Sequence, residues 1–309
     1  MQEATIDVII PAYNAQDFIV QAIDSVKSQS YTATKMIVVD DGSTDLTPQI
    51  VKKMFAGDAS IFYVRKDNGG LSSARNRGIA ESKAAFIAFL DADDVWLPTK
   101  LSEQMEIFHN SKDPKLGLVY CGYRVMDRSG KPIPSPSRFL INPRLRGEIF
   151  DDLLSANRIS GSGSAVLIRR QCLEVVGGFD ESLPTCEDWD MWLRLARHYH
   201  FDYVDKPMVE IRRHAMSMQL NQYRMFSGYI LFFNKWLDEA SKRPGVLSTW
   251  RREYVPPMIA AMIKEFPSTS LYRRLTNSMS SELKHLASTQ ISQIAFAVVS
   301  AFVRKTLHR

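Results

Sequence analysis

Along the first 125 residues, short apolar runs alternate with amphipathic stretches. Ile6–Pro11 is a β-branched run closed by proline and predicts a buried strand. Asn14–Ser30 follows with apolar residues at Phe18, Ala22, Ile23 and Val26, a helical spacing, and Asn14 is placed to cap it. Met36–Asp40 predicts a second strand, and Ser43 or Thr44 can cap a helix whose first turn admits Pro48. Ile61–Arg65 predicts a third strand, Leu71–Ser82 a helix, and Ala85–Asp91 a fourth strand. Strand–helix–strand alternation of this length predicts an α/β fold: a Rossmann-like, mostly parallel sheet with right-handed crossovers, flanked by helices.

After another apolar strand at Leu118–Val125 the alternation loosens. Ser129–Pro143 carries four prolines and predicts a loop over the site. Ser164–Arg169 predicts a strand and Glu187–His198 a helix. From Asn221 the strands disappear: Phe226, Tyr229, Ile230, Phe233, Trp236 and Leu237 recur every three to four residues, and proline-containing breaks divide the remaining chain into short helices. The expected organisation is therefore a sheet domain over residues 1–220 and an α-helical C-terminal region over 221–309, serving as a membrane-surface or oligomerisation element.

Composition narrows the class without deciding it. The 309 residues are 45% hydrophobic and 24% charged, as in ordinary globular proteins. Three widely spaced cysteines fit neither a disulfide framework nor a C-x-x-C metal site and point to a reducing, cytoplasmic compartment. The N-terminal stretch lacks the features of a signal peptide, and no run reaches the ~20 apolar residues of a spanning helix. The net charge of +5 is uneven: residues 221–309 hold 13 Lys and Arg against 5 Asp and Glu, a net +8, which leaves −3 on the remainder. That basic region is either a solvated appendage or a surface for an anionic partner. No basic element interleaved with aromatic residues is present, so nucleic acid is not an expected partner.

In an open parallel sheet, ligands bind at the carboxyl ends of the strands. Those ends carry Pro11-Ala12-Tyr13-Asn14, Asp40-Asp41-Gly42-Ser43 and Asp91-Ala92-Asp93-Asp94. Three acids directly after a buried strand repel one another, and a hard cation such as Mg²⁺ or Mn²⁺ would offset the repulsion while leaving positions for diphosphate oxygens. The bland alternative is a polar turn in which Asp94 caps the next segment. Asp40-Asp41 is equally compatible with a turn or with an acid that accepts a hydrogen bond from a base or ribose. Neither glycine loop for dinucleotides or triphosphates occurs. Gly69-Gly70 before a helix is a weak phosphate candidate, and Arg75 a better one for countering acids or phosphate, unless it forms a surface ion pair.

With these residues assembled, the chain resembles glycosyltransferase family 2, whose catalytic domain has the GT-A fold. The resemblance rests on VIIPAYN (Val8–Asn14), VVDDGSTD (Val38–Asp45), DNGGLSSARNRGI (Asp67–Ile79), FLDADD (Phe89–Asp94), CEDWDMWLRLA (Cys186–Ala196) and RRHAMSM (Arg212–Met218). It implies an inverting transferase that uses a nucleotide-diphosphate sugar, a UDP-sugar by resemblance, with Mn²⁺ or Mg²⁺. Pro11, Tyr13 and Asp41 would line the base and ribose pocket, and Arg75 would sit against the nucleotide or the aspartate motif. Asp91 would hold ribose or a metal-bound water, Asp93 would ligate metal, and Asp188 would be the catalytic base. Arg212 would clamp the diphosphate, and His214 would be an extra metal ligand. Asp190 is expected to be structural, and the helical Trp189 and Trp192 to pack in the core unless they stack on an acceptor sugar. Left to helix geometry alone, Glu187 and Asp188 would merely favour a helix N-terminus, which lowers carboxyl pKa values.

The acceptor is expected to be a saccharide or lipid-linked hydroxyl in cell-surface polysaccharide or glycolipid synthesis. Ile291–Val303 is too short to span a bilayer; with the basic residues after it, it either lies on the inner face of the membrane or docks on the core. Two other classes compete: a sugar-nucleotide nucleotidyltransferase, which usually carries a glycine- and arginine-rich loop absent here, and a non-catalytic nucleotide-sugar-binding module, which predicts loss of Asp93 or Asp188, both of which are present.

Overall fold

The computed structural model of the protein describes residues 4–33, 35–133, 144–159, 161–215, 217–218 and 221–254. Eight strands form one sheet in the order β3-β2-β1-β4-β7-β6-β8-β5. Its parallel half comprises β1 (Ile6–Ala12), β2 (Lys35–Asp40), β3 (Ile61–Arg65) and β4 (Phe86–Phe89), connected through α1 (Ile19–Lys27), α2 (Thr47–Phe55) and α3 (Leu71–Glu81). All seven residues of β1 are buried, as its β-branched run requires for a strand covered on both faces. The register pairs Ala12 with Asp40 and Asp40 with Arg65, so these strands end at one edge and deliver their polar loops together.

The other half is mixed. Between β4 and α4 (Lys100–Asn110) lies the short β5 (Val95–Trp96); β6 (Leu116–Met126) follows. After α5 (Phe150–Ser155) and a 3₁₀ turn at Ser162–Ala165 comes β7 (Val166–Arg169), antiparallel to both β4 and β6. Because β7 runs the other way, its N-terminal turn lies at the edge where β4 ends. Helices α6 (Arg170–Val176) and α7 (Glu187–Ala196) lead to β8 (His200–Arg212), which runs parallel to β6 with bulges and brings Arg212 beside Met126. The predicted strand at Ser164–Arg169 thus begins two residues late, since its first residues form the 3₁₀ turn.

Packing divides the chain into two units, each taken over its described residues: Met1–Leu153 with Asn157–Ser217, and Leu154–Ala156 with Met218–Arg309. The second contains α8 (Gln222–Ser241), capped by the Asn221 side chain, and α9 (Pro244–Glu253). The rings of Phe233 and Trp250 join these helices at 4.5 Å, and Trp250 Nε1 donates to Leu154 O. No helix among the described residues is long and apolar enough to cross a membrane. The predicted helix at 291–303 lies outside the described residues, as does most of the predicted loop at 129–143.

Helix α3 matters most for the site. A Cβ at Gly78 would meet Ile9 Cγ2 at 2.3 Å, so only glycine lets this helix sit so close to β1. Arg75, one turn earlier, is thereby held under the strand ends.

Candidate active site

The loops after β1 and β2 lock together. Asn14 adopts a left-handed backbone (φ 49°) and does not cap α1, which begins at Ile19. Its Oδ1 instead accepts from Thr44 N at 2.8 Å, and its own N–H donates to Ser43 Oγ at 3.0 Å. The expected caps Ser43 and Thr44 are likewise used here, and Asp45 Oδ1 accepts the Thr47 amide at the start of α2. Pro11 is buried beneath this junction, while Tyr13 projects with 53% of its surface exposed.

Both acids of Asp40-Asp41 are committed. Buried Asp40 accepts from Ser43 N and from Tyr63 OH at 2.6 Å; burial and that carboxylate push the phenol up to about 12. Asp41 accepts from Lys66 Nζ at 2.7 Å, Gly69 N at 3.0 Å and Gly70 N at 2.7 Å. The glycine amides considered for phosphate therefore already hold an anion, the Asp41 carboxylate, at the N-terminus of α3.

Arg75 is not a surface ion pair. Its side chain is fully buried: Nη2 donates to Asp91 Oδ1 at 2.8 Å and Ser162 Oγ at 2.9 Å, and Nη1 to Glu187 Oε1 at 2.9 Å. Burial opposes its charge, but Asp91 and Glu187 outweigh that and raise its pKa. One cation thus joins the acid loop after β4 to the acidic start of α7. A Cβ on Gly163 would meet Phe89 Cβ at 3.0 Å and Arg75 Nη2 at 3.2 Å, so the 3₁₀ turn needs a glycine beside the guanidinium.

The three acids of the loop have different fates. Asp94 is buried; Oδ2 accepts from Ser164 Oγ at 2.7 Å and Oδ1 from Arg212 N at 3.1 Å. Burial and the charges of Asp93 and Asp91 hold it well above the ordinary carboxylate range. Asp91 faces Arg75. Asp93 Oδ2 lies 2.9 Å from His214 Nε2, and burial together with Asp91 raises its pKa. The His214 ring packs on Phe18 at 4.8 Å.

Arg212, the expected diphosphate clamp, is buried and engaged by protein groups. Its Nε donates to Asp93 O, Nη1 to Arg128 O at 2.9 Å, and Nη2 to Gln21 Oε1 at 2.6 Å, which makes it a buried strut between β8, α1 and the acid loop.

At the start of α7, Asp188 lies beside Glu187. Its Oδ1 accepts the Trp189 amide at 2.7 Å. Burial and the Glu187 charge push its pKa up to about 7, against the attraction of Arg75. The helix-terminus effect, which would lower it, is outweighed. Trp189 and Trp192 are buried, with Trp189 Nε1 donating to Leu153 O at 2.6 Å, so neither faces an acceptor. Asp190 is buried against Arg194 at 2.9 Å. Cys186 takes a left-handed backbone (φ 63°) that turns the chain into α7, and burial raises its thiol pKa.

The geometry adds Ser162, for which the pattern predicts nothing, and Ser164, which it presents as the start of a strand. The signal was Gly161-Ser162-Gly163-Ser164, four small residues directly before a β-branched run, which lets backbone approach other groups closely.

Among the described residues no group of three or more Asp, Glu, His or Cys side chains converges as a metal cage. Asp93 and His214 still offer one carboxylate oxygen and one imidazole nitrogen within reach of each other. That set fits a cation whose remaining positions are filled by diphosphate oxygens, and the imidazole favours Mn²⁺ over Mg²⁺.

Residues 7–177 match the sequence profile of Glycosyl transferase family 2. The chain belongs to that family. A glycosyltransferase of Rickettsia prowazekii is 33% identical over 234 residues, covering 73% of this chain and 71% of that protein. TuaG of Bacillus subtilis, a glycosyltransferase assigned to teichuronic acid biosynthesis, is 30% identical over 232 residues, covering 75% and 82%. Among solved structures, mannosyltransferase PcManGT of Pyrobaculum calidifontis, in complex with GDP-Man and Mn²⁺, aligns at a TM-score of 0.64 and 18% identity, covering 96% of this chain and 87% of that one. S. aureus TarS 1-349 with UDP-GlcNAc aligns at 0.63 and 19%, covering 81% and 72%. Such likeness shows the fold of this glycosyltransferase, which is GT-A.

Proposed function

We propose that this glycosyltransferase moves a sugar from a nucleotide-diphosphate donor, a UDP-sugar, to an acceptor hydroxyl with inversion of configuration. The observation that carries the reading is Asp188: a carboxyl pushed up to about 7, joined through Glu187 and Arg75 to the acid loop. A base with that pKa is half ionised near neutrality and strong enough to take a proton from a hydroxyl as it attacks. Attack from the side opposite the departing diphosphate inverts the anomeric carbon in one displacement.

Pro11 and the exposed Tyr13 ring line the base pocket, Asp41 shapes it by holding the Gly69-Gly70 turn, and Asp91 meets the ribose while Arg75 fixes its orientation. A divalent cation held by Asp93 and His214 would neutralise charge developing on the diphosphate. Arg212 contributes by fixing the Asp93 backbone. PcManGT with GDP-Man and Mn²⁺, and TarS with UDP-GlcNAc, support a nucleotide-sugar donor and a metal. Relatives such as TuaG and the chondroitin synthase of Escherichia coli support a saccharide acceptor in polysaccharide synthesis. In this reading residues 1–220 carry the chemistry, and 221–309 serve membrane-surface attachment or self-association.

Melting the protein with UDP, GDP and their sugars, in Mn²⁺ and in EDTA, tests the donor. A rise with a uridine nucleotide that disappears in EDTA is expected. Asp188→Asn should keep that rise and abolish transfer; substantial residual transfer removes Asp188 as the base, and a rise that survives EDTA or Asp93→Ala removes the metal role.

A further inference from the structure

The acid loop rests on a buried polar cradle that the proposed reaction does not use. Lys100 and Gln104 lie one turn apart on α4, both fully buried. Lys100 Nζ donates to Gln104 Oε1 at 2.8 Å and to Val166 O at 3.5 Å, and sits 4.0 Å from the centre of the Trp96 ring. Gln104 Nε2 donates to Ala165 O at 3.0 Å and Val119 O at 2.9 Å, while Trp96 Nε1 donates to Ser164 O at 2.8 Å. Three side chains thereby hold three successive carbonyls, those of Ser164, Ala165 and Val166. The Ser164 hydroxyl accepts from Asp91 N at 3.1 Å and donates to Asp94.

A lysine is an expensive choice for this place. Burial pulls its pKa down to about 8, and the Cys121 thiol on β6 works in the other direction. A methionine would fill the same space without desolvating a charge, so stability alone does not call for lysine. What the ammonium supplies is polarisation: a cation over the indole face strengthens the N–H that the same indole donates to Ser164 O.

We propose that Lys100 is a positioning residue, acting through Trp96 and Gln104 on the 164–166 backbone and through Ser164 Oγ on the Asp91–Asp94 loop. Its consequence for donor binding rests on the proposed role of that loop in holding the nucleotide and metal.

Amide hydrogen exchange on Lys100→Met tests the cradle without any ligand. Exchange in residues 91–96 should quicken about tenfold, as expected for one weakened hydrogen-bond anchor, while β1–β3 keep their rates and the melting temperature stays level or rises. Affinity for UDP with Mn²⁺ should fall about tenfold, and Lys100→Met with Ser164→Ala should lose no more than Ser164→Ala alone, because both act on one path. Gln104→Leu repeats the exchange comparison if Lys100→Met does not accumulate as folded protein. Unchanged exchange in 91–96, quickening spread evenly over the sheet, or additive losses in the double variant overturns the proposal. A wild-type protein that binds no UDP in Mn²⁺ sinks the donor reading instead, and the exchange result then decides the cradle by itself.

Discussion

A carboxyl held above its ordinary pKa in the folded protein must destabilise that protein wherever it is ionised, and Asp188→Asn exposes the size of this cost. The carboxyl rises from 3.8 to about 7 on folding, for reasons of burial first and the Glu187 charge second. A gap of that size corresponds to at most roughly 4 kcal/mol of preference for the neutral acid. Below about pH 4 both folded and unfolded chains carry the proton, and nothing is lost. Between about pH 4 and 7 the folded chain holds a proton that the unfolded chain has released, so stability falls as pH rises. Above about 7 both are ionised and the whole penalty is present.

Asparagine keeps the oxygen that accepts the Trp189 amide and removes the charge. At pH 8 the variant should therefore be more stable than the wild type by up to roughly 4 kcal/mol, a rise in melting temperature on the order of 10 °C. At pH 5.5 about half of that gain should remain. Differential scanning calorimetry of both proteins at the two pH values measures it. A variant no more stable than the wild type at pH 8, or a gain that does not shrink at pH 5.5, would refute the claim that Asp188 is held high.

The same network makes two further outcomes predictable. Arg75→Met leaves Asp91 and Glu187 buried without their cation and should cost about 3–5 kcal/mol in urea unfolding, with partial recovery when Glu187→Gln is added; a loss below about 1 kcal/mol would mean that the pairing is dispensable. In the wild type, kcat/KM should rise about tenfold per pH unit up to about 7 and then level. Glu187→Gln removes a repelling charge and releases Arg75 to attract Asp188, so the profile should move to lower pH and the plateau should fall; a profile that does not move removes Glu187 as a cause of the shift.

How far the sequence carried depended on whether a residue's neighbours are local. Ile61–Arg65 was legible to the residue because five apolar-biased positions between turn signals leave few alternatives. The 13-residue β8 drew no strand prediction, because its partners, β5 and β6, are set by topology rather than by period. Asn14 has the residue type of a helix cap, but a partner 30 positions away takes its side chain, and propensity has no means of seeing that. Lys100 and Gln104 are the strongest case. In TKLSEQ they look like a solvated helix face, yet both are fully buried: Lys100 donates to Gln104, and between them they reach carbonyls on β6, the 3₁₀ turn and β7. A polar pattern reports solvent only when no partner exists inside.

Adjacent acids at a helix start pose a choice that the chain settles with one cation. Glu187 and Asp188 are neighbours on α7, and either could in principle accept a proton. Arg75 reaches Glu187 at 2.9 Å and pairs with it, while among the described residues Asp188 accepts only its neighbour's amide. The Glu187 charge is, after burial, the leading reason for Asp188 to hold its proton longer. The residue that pairs Glu187 also holds Asp91, at 2.8 Å. In the proposed mechanism, a substitution that displaces Arg75 would alter donor contacts and base strength together, through a side chain that is itself buried. That double dependence accounts for a fully buried arginine here, where an isolated buried charge would be a liability.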